Sequence, residues 1–110
     1  MDYILVKKDN LVFKIQFADI LYIGTNPKRP RVLRFVTDGD VYEAYGKLKD
    51  FELRLGLTFK CCHRKYLVNL RRVKAIDMET RQVLFDNSKI NSIECSRRNF
   101  IGVLNEWKSL

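Results

Sequence analysis

Phe59-Lys60-Cys61-Cys62-His63-Arg64-Lys65-Tyr66-Leu67-Val68-Asn69 is the stretch on which the fold of this chain turns. One apolar anchor opens it, charged and polar residues follow, and a β-type run ending at Asn69 closes it. Lys60, Arg64 and Lys65 surround the sole histidine of the chain. A basic cluster set against a rigid strand suits a loop that reaches toward a polyanion.

Outward from this stretch the dominant period is two, the mark of half-buried strands. Residues 3–6 and 11–15 read as a hairpin joined through Lys7-Lys8-Asp9-Asn10. Phe17-Ala18-Asp19 makes a corner before a strand over 20–23. Gly24, Asn26, Pro27 and Pro30 then predict a loop over 24–31, since proline cannot donate to a ladder. Strands follow at 32–36 and 41–44, with Asp38-Gly39 between them predicting a type I′ turn. Further strands are expected at 66–70, 73–76, 82–85 and 90–94. Asp86-Asn87-Ser88-Lys89 supplies turn chemistry before the last of these.

Two segments leave this rhythm. Leu48, Phe51 and Leu55 recur at helical spacing within 47–55, and Gly56 stops the pattern. Phe100, Val103, Leu104 and Trp107 do the same within 96–107, where Ser96 is placed to cap the helix. The expected architecture is mainly β: an elongated arrangement of small antiparallel sheets, one short internal helix and a short C-terminal helix. At 110 residues it fits a single domain spanning 1–110.

The net charge is +8, and it is uneven. Residues 1–55 carry ten Lys/Arg against eight Asp/Glu, and residues 56–110 carry eleven against five. Such a surplus points to nucleic acid or an anionic surface as partner. No apolar run approaches the ~18 residues of a membrane span, and Met1-Asp2-Tyr3 lacks the basic start of a signal peptide. Three cysteines, Cys61, Cys62 and Cys95, are an odd number and read as free thiols of a reducing cytoplasm.

Three basic clusters stand at the ends of regular elements. The first is Lys28-Arg29-Pro30-Arg31, the second His63-Arg64-Lys65, the third Ser96-Arg97-Arg98-Asn99 at the expected helix start. Ser, Asn and free helix N–H groups donate to phosphate, and arginine pairs bidentately with guanine. Cys61 and Cys62 are adjacent, so in a strand they point to opposite faces and cannot close on one zinc ion. With no second histidine, no metal or cofactor is expected. Neither a phosphate-binding glycine loop nor a nucleophile context is present, so no catalysis is expected. An alternative class is a small basic β-domain binding RNA or nucleic acid without sequence preference. It would need exposed aromatics, whereas Phe13, Phe35, Phe59 and Phe85 sit in apolar runs. Cys62 and Cys95 flank two of the clusters; exposed, they would couple oxidation to contact, and buried they would be core.

The chain resembles the LytTR family, the LytR/AlgR-type DNA-binding domain of bacterial response regulators. Residues Phe59 to Asn69 resemble the family's "F-x-R-x-H-R-S-Y-L-V-N", its most specific motif. Ile15-Gln16-Phe17-Ala18-Asp19-Ile20-Leu21-Tyr22-Ile23 resembles "I-x-x-x-D-I-x-Y-I/F-E". Tyr45-Gly46-Lys47-Leu48 matches an "x-G-x-L" step, Val73-Lys74-Ala75-Ile76 an "I-x-x-I" strand, and Ser96-Arg97-Arg98 a "V-S-R" element. Departures are Lys65 for the usual serine, Gly24 for a common glutamate, and Pro30-Arg31 where relatives carry His or Ser.

The resemblance implies three small sheets whose loops enter two successive major grooves of double-stranded DNA and bend it. It implies transcription regulation in a two-component system, with two copies on direct repeats and a receiver domain or homodimer partner. The chain is then either a fragment of a longer regulator or a stand-alone domain. Carried over by position, Arg31, Arg64 and Arg98 are expected at base edges. Lys28, Arg29, His63, Lys65, Ser96, Arg97 and Asn99 are expected at phosphates.

Overall fold

A computed structural model describes residues 3–110. The quoted stretch folds into a hairpin: strand β6 (Phe59–His63) runs into β7 (Tyr66–Asn69) through Arg64 and Lys65. Its first half was not expected to be a strand. The register slips between Cys61 and His63, so Cys62 sits in a bulge that breaks the alternation a strand normally writes into sequence.

The remaining strands are β1 (Tyr3–Lys8), β2 (Leu11–Gln16), β3 (Tyr22–Thr25), β4 (Val32–Val36), β5 (Val41–Tyr45), β8 (Val73–Asp77), β9 (Gln82–Phe85) and β10 (Ile93–Glu94). Helix α1 spans Leu48–Leu55 and α2 spans Arg97–Lys108. Among the described residues there are two antiparallel sheets rather than three small ones. Seven strands are ordered β2-β1-β5-β4-β3-β7-β6, and three are ordered β10-β9-β8. The reason lies at one joint. β1 meets β5 through a single register pair, Lys7 with Glu43, which fuses the first hairpin to the larger sheet. The molecule is elongated, 42 × 26 × 24 Å.

Alternation along the strands sends side chains to two cores, one on each face of the large sheet. Ile4, Val6, Ile23, Leu33, Phe35 and Leu67 pack under α1. Leu21, Val68, Val83, Phe85, Phe100 and Val103 form the second core, between the large sheet, the small sheet and α2. The Trp107 indole N–H donates to the Val73 carbonyl at 2.9 Å and pins α2 to β8. Cys61 lies against the first core and Cys62 within the second, as adjacent strand positions require.

Two loops differ from expectation. Neither Asp38 nor Gly39 has a positive φ, so the β4–β5 connection is not type I′. The Thr37 N–H donates to the Asp40 carbonyl, and the Thr37 hydroxyl accepts the Asp40 N–H and donates to the same carbonyl, so backbone and side chain close the loop together. Strand β10 is also shorter than the expected 90–94. The Ile90 N–H bonds back to the Asn87 carbonyl, which leaves Ile90 in a turn.

Candidate nucleic-acid interface

Antiparallel pairing brings the end of β3, the start of β4, the end of β5, the end of β6 and the start of β7 to one end of the large sheet. The first two basic clusters occupy loops at this end. Asn26 to Val32 form two consecutive turns. The Arg29 N–H donates to the Asn26 carbonyl at 3.2 Å, and the Val32 N–H to the Arg29 carbonyl at 3.0 Å. Pro27 and Pro30 each take the second position of a turn, where their fixed φ is pre-set. Asn26 Oδ1 also accepts the Lys28 N–H. Lys28 and Arg31 thus hold equivalent third positions in the two turns, both exposed.

Two backbone bonds chain the three clusters together. The Thr25 N–H donates to the Lys65 carbonyl at 3.0 Å, joining the first loop to the second. The Ser96 N–H donates to the Cys62 carbonyl at 2.8 Å, joining the second to the start of α2. Ser96 caps α2 as expected, its Oγ accepting the Asn99 N–H at 3.2 Å. A groove of about 440 Å³ between the second and third clusters is lined by His63, Tyr66, Glu94 and Ser96, among others. His63 Nδ1 accepts the Lys65 N–H at 3.2 Å, which leaves Nε2 as the ring nitrogen not engaged in the loop.

Arg64, Lys65, Arg97 and Arg98 are exposed. Among the described residues, ion pairs join Lys8 to Asp40, Arg29 to Glu43, Arg72 to Asp38 and Asp86, and Arg81 to Glu94. Six of the seven cluster cations are therefore unpaired, and Arg29 is the exception. A surface with that many uncompensated cations has the chemistry to hold successive phosphates.

Residues outside the three clusters also belong to this end. Register places His63, Tyr66, Gly24, Arg34, Glu43 and Lys7 in one row across the large sheet, so their side chains share a face. Arg34 is the exposed member of an otherwise buried β4. The Tyr66 ring lies over Gly24, where a Cβ would stand 3.2 Å from Cε1. Tyr45 is 72% exposed, and its neighbour Gly46 donates to the Arg31 carbonyl. Arg34 and Tyr45 gave no sequence signal, because their neighbourhood depends on strand register.

The thiols of Cys62 and Cys95 belong to the core. Cys62 and Cys95 are both fully buried. The neighbouring Cys95 thiol and burial push the Cys62 thiol above the usual range. Phe35, Phe59 and Phe85 are core, and Phe13 packs on Tyr42, so none of the four offers a platform for stacked bases.

Basic loops carried on a β scaffold, with the polar chemistry at one end, define a nucleic-acid-binding domain. The family model for the LytTr DNA-binding domain matches residues 10–107, and the chain belongs to the LytTR family. It is a DNA-binding domain, not an enzyme. Its fold matches a solved LytTr DNA-binding domain, described as that of a methyl-accepting/DNA response regulator, from Bacillus cereus. The TM-score is 0.78 at 18% identity, covering 100% of this chain and 99% of that one. No curated protein matches the chain. Among the described residues, no helix is long and apolar enough to cross a membrane.

Proposed function

We propose that this chain, as a single domain, binds double-stranded DNA sequence-specifically and regulates transcription as the output domain of a cytoplasmic response regulator. The observation that carries this reading is the chaining of two basic loops at one sheet end to a third basic segment at the start of α2, with six of their seven cations unpaired among the described residues. Loops at that end enter successive major grooves. Arg31, Arg64 and Arg98 read base edges, and Lys28, Arg29, His63, Lys65, Ser96, Arg97 and Asn99 hold phosphates. The duplex bends between the contacted grooves, which favours flexible pyrimidine–purine steps. Two copies occupy direct repeats.

Selection from a random duplex pool at physiological salt tests the reading; enrichment of a repeated short motif is expected, and no enrichment would refute it. On the selected site, Arg98→Ala should cost ~1–3 kcal/mol and relax preference at one base step. Equal weakening on all sequences would remove Arg98 from base reading. Lys65→Ala should weaken every sequence alike and reduce the salt slope by about one. An unchanged slope would remove Lys65 from the phosphate set.

A further inference from the structure

Arg29 stands apart from the other cluster cations because it is held. Its Nη1 donates to Glu43 Oε1 at 3.3 Å, while Asn26 Nδ2 reaches Glu43 Oε2 at 3.5 Å. Arg29 is also the residue shared by the two proline turns, the last of one and the first of the other. Glu43 therefore grips the first loop at its joint. The carboxylate sits in the row between Arg34 and Lys7, among basic side chains.

We propose that Glu43 is a latch that stands in for a DNA phosphate, occupying the Arg29 guanidinium and weakening sequence-independent binding. The inference rests on the DNA-binding reading above. A carboxylate and a phosphate both offer anionic oxygens that accept from the guanidinium, so they compete for it. The loop does not need the latch for its shape. Both turns are closed by backbone bonds and stiffened by proline, and the loop ends are tied through Thr25 to Lys65 and Arg31 to Gly46. Releasing Arg29 therefore adds a cation to the surface without melting the loop. Both partners are about half exposed, which sets the scale of the effect at that of one surface ion pair.

The test is a double-mutant cycle on the full chain with Glu43→Gln, Arg29→Ala and the pair, because glutamine keeps the volume and an acceptor. Affinity is measured on the selected duplex and on a scrambled one across a salt series. Glu43→Gln should tighten both duplexes about two- to fivefold and steepen the salt slope by about one. In the Arg29→Ala background that gain should largely vanish. An equal gain in both backgrounds would mean that Glu43 acts only through net charge. No gain, or weaker binding, would mean that it serves only to shape the loop. Either result overturns the latch. If the unaltered chain bound no duplex, the DNA reading itself would fail. The latch would then be decided by the salt that elutes the four proteins from heparin, where the same pattern is expected.

Discussion

Asn69 ends the most specific motif of the chain, and the structure gives it a structural task. It is 2% exposed. Its Nδ2 donates to the Ile20 carbonyl at 2.9 Å, and its Oδ1 accepts the Arg71 N–H at 3.1 Å. Its own N–H donates to the Leu21 carbonyl at 2.9 Å. One side chain thus fastens the 3-10 turn at Leu70–Arg72 to the segment entering β3. Asn69→Leu keeps the branched shape and removes both side-chain bonds. Ile20 is fully buried, so its carbonyl cannot recover the bond from water. That loss costs about 1–3 kcal/mol. Arg71 is exposed, and water replaces most of the second bond for a cost of about 0.5 kcal/mol. A net loss of about 2–3 kcal/mol follows, or roughly 10 °C in melting temperature for a domain of this size. Urea unfolding of the variant should show a lower midpoint at an unchanged slope. Affinity of the folded variant for the selected duplex should not change, because Asn69 lies at the opposite end of β7 from Arg64 and Lys65. A stability loss under about 0.5 kcal/mol would refute the hydrogen-bond accounting. Weaker DNA binding by fully folded protein would refute the assignment of this residue to structure.

The other predictions concern backbone and pH. Gly46 has φ of +152°, and a Cβ there would lie 2.7 Å from Phe51 Cε2; Gly46→Ala should destabilise by about 2 kcal/mol in urea unfolding, and a neutral result would mean that Phe51 can move aside. Hydrogen bonds from Arg72 and Asn87 hold the Asp38 carboxyl below the usual range. A depressed folded value contributes stability above the unfolded value near ~3.9 that is lost as pH falls through the folded value. Asp38 is mostly exposed, so Asp38→Asn should cost only about 0.5 kcal/mol at pH 7; the deficit should close in acid, and one that persisted at all pH values would refute the ionic account.

Most strands and both helices were legible because each carries its own period. Leu48, Phe51 and Leu55 mark α1, and Ser96 announces the start of α2 through its cap. What failed to show was whatever depends on a side chain closing a loop or on a bulge. Thr37 closes the β4–β5 connection with its N–H and its hydroxyl together, and Asp38-Gly39 turns without the positive φ that the dipeptide suggested. The bulge at Cys62 hides β6, since the alternation that sends Cys61 and Cys62 to opposite cores does not carry on to His63. The basic clusters were visible as residue types, but their convergence was not. It follows from Gly24 pairing with Tyr66 and from Ser96 bonding to Cys62, contacts between residues 42 and 34 positions apart in the chain.

The distribution of ion pairs ties stability to function. Arg72 bridges Asp38 and Asp86 and so links the large sheet to the connection after β9, away from the basic loops. Lys8 with Asp40 and Arg81 with Glu94 likewise use cations outside the three clusters. The acidic residues that form pairs are thus matched to structural cations, with Glu43 the exception. Lys28, Arg31, Arg64, Lys65, Arg97 and Arg98 are among the many cations left without an ion pair among the described residues, and their side chains make no hydrogen bond there. Replacing any of these six removes no core contact and no ion pair, so a change in DNA affinity there reports on the interface itself. Glu43 and Arg29 are where the two sets of charges meet, and a substitution of Glu43 should move DNA affinity while the backbone bonds keep the loop in shape.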